Sequence, residues 1–429
     1  MIDRFIDALS SLRLTLVSLA FALILVFVGT LAQVRLGLYE VQSKFFHSFL
    51  VYWTPPGTHW HIPVLPGGWL IGLLLVANLL AGHISRFQFS SRKAGILLVH
   101  AGLILLLVGQ FVTESFQIES QMRLEIGETK NYAEDNRRNE LAIIDVTNPD
   151  RDEVVAIPQS LLEKQGEIRP AGMPFVLRVK KYLPNSLPAG PMSGAGEKLK
   201  AQNGIGQRLL FTAAPTVSRM DDENKPTALV EVATDKGAVG EWTVSTWMTK
   251  RPWVSILQGE VGGLLGVAVN EPQSFTVNGH TYQLALRAVR YYKPYSITLR
   301  EFKHDVYAGT DIPSNFSSKI HLRDPSRGED RDILIYMNNP LRYRGESFYQ
   351  ASFEQGDQVS VLQVVHNPAS IMPYVACSLV ALGLVVQFMM HLLGFAKKQS
   401  RPAARMAEAE KRSKPGARPV LAAVGGNSL

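Results

Sequence analysis

A histidine, His100, lies within one of the most apolar stretches of this chain. Residues 94–112 around it are long enough to cross a lipid bilayer as a helix. An ionisable side chain is costly there, so it indicates a function with a specific partner. Neutral imidazole is a common ligand of haem iron, and it can equally form a hydrogen bond between two helices. The residues alone leave both interpretations of His100 open.

Two further histidines lie near the ends of apolar blocks, His83 after the second block and His391 late in the fourth. Their side chains can reach the membrane interface, which favours structural roles, and they are weaker candidate ligands than His100. The pair His59 and His61 lacks a cysteine or nearby carboxylate that would complete a metal site. The sequence also contains no pattern typical of a catalytic nucleophile, so we predict no catalytic residue.

The charge and the cysteine count exclude two classes of function. Cys377 is the single cysteine, so the chain forms neither an internal disulfide nor a CxxC redox pair. The net charge of +7 arises from basic segments beside apolar blocks and from a basic tail. We attribute this net charge to the basic segments that set membrane topology and to the basic tail, and we expect no nucleic-acid partner.

Transmembrane helices must position these histidines. Four apolar blocks fit this role, although the second is short for a span of about 20 residues: residues 12–33, 68–82, 94–112 and 371–395. The first block follows a basic N-terminus as a secretory signal does. Its length and the absence of a clean A-x-A site favour a retained anchor.

Basic residues in the short connections predict the orientation, because they concentrate on the cytoplasmic side. They are Arg4, Arg13, Arg86, Arg92, Lys93, Lys397, Lys398 and Arg401. Both termini are then cytoplasmic, and His100 lies about 9 Å from Ala94, in the cytoplasmic half of the membrane. The basic residues before Ala94 could also meet haem propionates, but topology already explains them.

Three glycines recur every seven residues in the third block, at positions 95, 102 and 109. At about 100° per residue they form a stripe on one helix face, and His100 points nearly opposite. Because small residues allow close helix contact in lipid, we expect this stripe to pack on a neighbouring helix.

Short runs with alternating apolar residues predict a mostly β domain between the third and fourth helices. Asn278 and Gly279 predict a tight hairpin turn there. The predicted fold is therefore an integral membrane protein with four transmembrane α-helices and a large, mostly β extracytoplasmic domain. Its divisions are residues 1–33 (N-terminus and first helix), 34–67 (outer loop), 68–93 (second helix and basic loop), 94–112 (third helix), 113–370 (outer domain), 371–395 (fourth helix) and 396–429 (disordered basic tail).

This arrangement resembles the ResB family of cytochrome c biogenesis proteins, the smaller partner in the two-component haem-delivery and attachment system known as System II. Five runs carry the resemblance: residues 29–33, 95–102, 302–307, 312–318 and 338–352. The last run is the most specific. The family's usual proline before Gln33 is replaced here by Ala32, a departure that touches no proposed ligand.

The resemblance implies that His100 is an axial ligand of haem b in transit, with His83 and His391 as weaker candidates. It implies a partner of the CcsA or ResC type, an apocytochrome c with a CxxCH motif, a thioredoxin-like apocytochrome reductant, and the bacterial inner membrane as location. The chain would be a non-autonomous subunit of a holocytochrome c synthase, since no Trp-Trp-Asp run is present. The alternative is a haem-free, membrane-anchored scaffold in which His100 only bridges helices.

Overall fold

The computed structural model describes residues 2–55, 57–86, 93–189, 198–217, 223–249, 263, 266–267, 271–306, 309, 313–354 and 358–413. The chain divides into two compact units. The helical unit comprises Met1–Phe21, Leu70–Ser115 and Ala369–Leu429, and the β-rich unit comprises Ala22–Trp69 and Phe116–Pro368.

The described helices share strongly apolar sequences, apart from the short ones. They are α1 Ile2–Leu9, α2 Leu12–Leu36, α3 Leu38–Val41, α4 Gly68–Arg86, α5 Ala94–Phe116, α6 Gln159–Glu163 and α7 Met372–Ser413. A π-helical turn, Gln42–Phe46, follows α3.

Three of the described helices are long and apolar enough to cross a membrane: α2, α5 and the Met372–Ala396 part of α7. The apolar part of α4, Gly68–Ile84, is shorter. The full α4 has 19 residues, about 28 Å of helix, close to the ~30 Å hydrocarbon thickness. Three of the four predicted spans therefore have the required length, and the second is a helix at the lower limit.

The last helix differs from the prediction at its C-terminal end. We expected a disordered tail from residue 396, but α7 continues to Ser413. The physical reason is composition, because this stretch is rich in Ala, Glu, Lys and Arg, which are strong helix formers. Residues 414–429 lie outside the described part of the chain.

Within the helical unit, a buried amide joins α4 to the start of α2. Asn78 is 7% exposed, and its Nδ2 donates to the carbonyl oxygens of Leu9 and Ser11 at 2.6 and 3.0 Å. The hydroxyl of Thr15 donates to Oδ1 of Asn78 at 2.6 Å. Asn78 thus supplies a donor to the carbonyl of Leu9 at the C-terminus of α1, where helix ends leave acceptors unpaired, and a further donor to the Ser11 carbonyl at the turn.

The strands share antiparallel pairing throughout the described residues. They are β1 Leu50–Trp53, β2 Ile62–Pro66, β3 Ile118–Glu125, β4 Thr129–Asp145, β5 Glu153–Pro158, β6 Gly166–Ile168, β7 Val176–Leu183, β8 Ser186–Ala189, β9 Lys198–Leu199, β10 Leu210–Ala213, β11 Thr227–Thr234, β12 Gly237–Ser245, β13 Gln273–Val277, β14 His280–Val306, β15 Pro313–Asp324, β16 Glu329–Tyr336, β17 Leu341–Tyr343, β18 Glu346–Glu354 and β19 Val359–His366.

The largest sheet has the order β16-β15-β14-β4-β3-β19-β18-β17, with β13 paired to β14 and β5 paired to β4. Smaller sheets have the orders β12-β11-β7-β6, β8-β10-β9 and β1-β2. The predicted hairpin is confirmed, since Val277 pairs with His280 across Asn278 and Gly279, both at positive φ. Such angles at both central residues are those of a type I′ turn.

The long strand β14 contributes to two hydrophobic cores. Leu284 and Leu286 belong to one core, with side chains of β7 and β11, whereas Ile297 and Leu299 belong to a second with β3 and β19. The buried positions change from even to odd numbers, because the pairing with β4 is irregular between Tyr292 and Ile297. An irregularity in a strand reverses which side chains face the core, so one strand serves both.

A buried ion pair links β14 to β4. Arg287 Nε donates to Glu140 Oε1 at 3.0 Å, and the two side chains are only 6% and 9% exposed. Removing one partner of such a pair leaves an uncompensated buried charge.

Candidate functional site

The structure brings two of the three candidate histidines together in the helical unit. His100 on α5 and His83 on α4 lie edge to face, with ring centroids 4.8 Å apart and planes at 86°. Nδ1 of His100 is 3.2 Å from Nε2 of His83. Both rings are partly buried. The sequence predicted that His100 faces away from the glycine stripe, and the element that it meets is α4.

The hydrogen-bond partners determine the tautomers of this pair. Nδ1 of His83 lies 2.9 Å from the carbonyl oxygen of Leu79, which can only accept, so this nitrogen carries the proton. In a neutral imidazole the other nitrogen is then an acceptor, and Nε2 of His83 accepts from Nδ1 of His100. Nε2 of His100 therefore keeps an unprotonated lone pair, which is the form that binds a metal.

The same distance bears on the role of His83. Two imidazole nitrogens that bind one metal from opposite sides lie about 4 Å apart, twice a metal–nitrogen bond of about 2.0 Å. The 3.2 Å contact leaves no room for a metal, or for a macrocycle, between His83 and His100. In this arrangement His83 is a hydrogen-bond partner of His100, and its role as a haem ligand stays a prediction.

The glycine stripe positions α5 against α7. Gly95, Gly102 and Gly109 are the buried residues of α5. A Cβ at Gly102 would lie 2.6 Å from Val380 Cγ2 and 2.7 Å from the carbonyl oxygen of Ala376. Side chains larger than hydrogen do not fit there, so the expected close helix contact is present and α7 is the neighbour.

His391 stands apart from this pair. It is exposed on α7, and its Nε2 contacts the side-chain amide nitrogen of Gln387, one turn earlier, at 2.9 Å. No contact between His391 and either His83 or His100 is present among the described residues. In that part of the chain there is also no group of three or more His, Cys, Asp or Glu residues that could hold a metal ion.

In the β-rich unit, the sequence run 338–352 forms part of a buried polar network. Tyr343 donates its hydroxyl to Asp324 Oδ2 at 2.7 Å, and Arg344 pairs with the same carboxylate at 2.7 Å. Ser326 donates its backbone N–H and its hydroxyl to the other oxygen. Burial alone would raise the pKa of Asp324, but these hydrogen bonds and the charge of Arg344 outweigh it and lower the pKa to about 2.

The carboxylate of the run itself, Glu346, receives two donors from β14. Lys293 Nζ pairs with Oε1, and the Tyr295 hydroxyl donates to Oε2. Burial first, and then the hydrogen bond to Glu346, raise the pKa of Tyr295. Phe348 between these groups is fully buried. The most specific run of the sequence thus contributes packing and polar contacts within the β-rich unit.

Sequence reasoning did not single out His83 as the partner of His100, nor Asp324 and Glu346 as network residues. The contact of His83 depends on how α4 and α5 cross, which local patterns do not encode. Glu346 did carry a signal in the sequence, because it lies directly after Gly345 at the start of a strand. In the structure it faces Lys293 and Tyr295.

The comparisons with known proteins concern the β-rich unit. The model of the ResB-like family matches residues 254–361. Protein NrfI of Wolinella succinogenes is 33% identical over 92 residues, a stretch that covers 21% of this chain and 10% of that protein. The family match confirms the resemblance seen in the runs 302–307, 312–318 and 338–352. The runs 29–33 and 95–102 lie outside the matched residues.

Proposed function

We propose, on the premise that this chain carries the ResB-like sequence at residues 254–361, that it is a membrane subunit for cytochrome c biogenesis. Its cargo would be haem, delivered across the membrane and attached covalently to an apocytochrome c with a CxxCH motif. The chain would act in the bacterial inner membrane, with both termini cytoplasmic and the β-rich domain outside. The match covers a quarter of the chain, and the helices and their histidines supply the remaining support.

The observation that carries the proposal is the pair of ring contacts, His83 Nδ1 to the Leu79 carbonyl and His100 Nδ1 to His83 Nε2. The chain from the Leu79 carbonyl through His83 to His100 leaves Nε2 of His100 with a free lone pair. Ligating histidines commonly donate their other ring N–H to such a partner, which fixes the ring and raises its basicity. His100 fits an axial ligand of haem iron, and haem would supply the metal centre that this nitrogen binds.

A CcsA- or ResC-type membrane protein is the proposed partner, and it would supply the second axial histidine. His391 and His83 are then not needed as ligands across the same iron. A thioredoxin-like reductant would keep the apocytochrome thiols free, since Cys377 has no second cysteine with which to form a redox pair. The β-rich unit would receive the apocytochrome or bind the partner.

The competing function is a haem-free scaffold. The same hydrogen bond between His83 and His100 joins α4 to α5, and a purely structural bridge needs nothing more. The two functions differ at Nε2 of His100, which binds haem iron in the first and binds no metal in the second.

Visible absorption spectra separate these functions. The full chain is purified with its membrane partner, as wild type and as His100→Ala, with His391→Ala as a matched removal of an exposed membrane histidine. We expect His100→Ala to lose most of the Soret absorption per chain and His391→Ala to retain it. An unchanged Soret band in His100→Ala would contradict the ligand role and favour the scaffold.

A further inference from the structure

A long stretch of this chain carries no charge. From Phe45 to Ser85 the sequence contains no Asp, Glu, Lys or Arg. Its first part forms the hairpin of β1 and β2, in which Val51 pairs with Leu65 and Trp53 with Ile62. By sequence this hairpin connects the end of α2 to the start of α4.

The base of the hairpin lies beside α2, well before the end of that helix. The ring of Phe46 is 3.2 Å from the position that a Cβ of Gly29 would occupy. Gly29 precedes the last residue of α2, Leu36, by seven positions, or about 10 Å along the helix axis. The chain therefore turns back along α2 before the hairpin begins.

Hydrogen bonds hold the two ends of the hairpin together at this level. Gly67 N donates to the Phe49 carbonyl at 2.9 Å, and Trp69 N donates to the Ser48 carbonyl at 3.2 Å. A Cβ at Gly67 would lie 2.1 Å from the carbonyl oxygen of Ser48, so only glycine permits this approach. The two strands have four and five residues and are about 13–17 Å long. This length is similar to the distance of about 10 Å along α2 between Gly29 and Leu36.

The hairpin presents a large apolar surface. Its side chains at this surface are mostly aromatic or aliphatic and are 40–74% exposed: Tyr52, Trp53, Trp60, Ile62 and Val64. The polar groups between them pair internally, since Thr54 Oγ1 lies 2.9 Å from His61 Nδ1 and the ring of Tyr52 meets that imidazole edge-on. An apolar surface with two exposed tryptophans is unusual against water.

We propose that the β1–β2 hairpin is a membrane anchor that places Trp53, Trp60 and Tyr52 in the interfacial layer of the bilayer, on the side where α2 ends. Tryptophan and tyrosine concentrate at this depth because they have an apolar body and a polar edge. The hairpin base set back along α2 puts the strands at this level, and the absence of charge removes the main cost of entering it. A lipid surface fits these observations, because an uncharged hairpin with exposed tryptophan and tyrosine lies beside a helix long and apolar enough to cross a membrane.

Tryptophan quenching by brominated lipids tests the proposal in the full chain reconstituted into nanodiscs. The variant is Trp53→Phe with Trp60→Phe, a change that keeps exposed aromatic residues. The control is Trp242→Phe, at a position 4% exposed in the outer-domain core. Lipids brominated near the headgroup are compared with lipids brominated near the chain end, and acrylamide reports access from water.

We expect headgroup-proximal bromines to quench the wild type more strongly than chain-end bromines. The double variant should lose the part of this lipid quenching that Trp53 and Trp60 contribute, whereas Trp69, at the start of α4, keeps its own part. Trp242→Phe should keep all of it. Equal lipid quenching in wild type and double variant would overturn the proposal. If acrylamide rather than lipid quenches the two tryptophans, the hairpin lies in water; if neither quencher reaches them, protein covers the hairpin. Either result would also overturn it.

Discussion

His100 owes its chemical state to a single neighbour. Without an acceptor at Nδ1, an imidazole in an apolar helix could carry its proton on either nitrogen, and only one tautomer leaves Nε2 free to bind a metal. Nε2 of His83 is that acceptor, at 3.2 Å, and the Leu79 carbonyl fixes His83 in turn. If His100 binds haem as proposed, the role of His83 would be to position it.

Replacing His83 tests this role. His83→Leu removes the acceptor, and we expect haem affinity to fall about 10- to 100-fold, as it does when other outer-shell partners of metal ligands are removed. His83→Gln keeps an acceptor oxygen at a similar reach and should restore most of the affinity. The reduction potential of the haem iron, measured by redox titration, should shift in the Leu variant and less in the Gln variant.

Two outcomes would contradict the positioning role of His83. Wild-type haem affinity in both the Leu and the Gln variant would show that the acceptor does not matter. Loss of haem in both variants to the level of His100→Ala would make His83 a ligand itself.

The sequence predicted the candidate residue and the helix face on which it lies, but not the residue that it contacts. The cost of an imidazole in a membrane helix identified His100, and the angle to Gly102 predicted which face it uses. The identity of its partner did not follow, because His83 and His100 are 17 positions apart and meet only through the crossing of two helices. No local pattern encodes that crossing.

At the level of helices, the close contact between α5 and α7 depends on glycines of α5, which have no side chain. Gly102→Leu would place a side chain against Val380 and the carbonyl of Ala376, at distances of 2.6 and 2.7 Å from its Cβ. We expect a loss of stability of about 1–3 kcal/mol from overpacking. Thermal unfolding in detergent measures it as a lower Tm.

The matched control is Gly72→Leu in α4, where a Cβ would meet no atom within 4 Å. Its Tm should stay close to that of the wild type. If both variants lower the Tm equally, the loss reflects leucine in a membrane helix rather than the contact with α7.

The strands show how far alternation alone can lead. It indicated a strand around Tyr282, and the Asn278-Gly279 turn before it is confirmed. It did not indicate that β14 continues to Val306, because Pro294 interrupts the pattern and proline is expected at strand ends or irregularities. Here it lies within the irregular pairing to β4, where burial has already changed to the other phase at Lys293 and continues on it to Leu299. Tertiary packing, which joins two cores with one strand, overrides the local signal.

At the scale of the whole molecule, the candidate ligand and the family match belong to different units. His100 lies in the helical unit, whereas residues 271–306, 313–354 and 358–361 of the match lie in the β-rich unit. Each unit has its own internal contacts, so damage to one should leave the other intact. Holding haem and completing the cytochrome would then be separable by mutation.

Glu140→Ala makes this separation measurable. It leaves Arg287 as an unpaired buried charge, a loss of about 3–5 kcal/mol for a pair of this kind. Glu153→Ala is the control, because its partner Arg151 is exposed and such surface pairs contribute about 0–1 kcal/mol. We expect Glu140→Ala to increase hydrogen exchange in the β-rich unit and to reduce the yield of holocytochrome c, with an unchanged Soret band per chain. The contrary outcome is a Soret band that falls together with the hydrogen-exchange protection of the β-rich unit. It would show that the two units fold as one, because only coupling between them could transmit the loss of stability at Glu140 to His100.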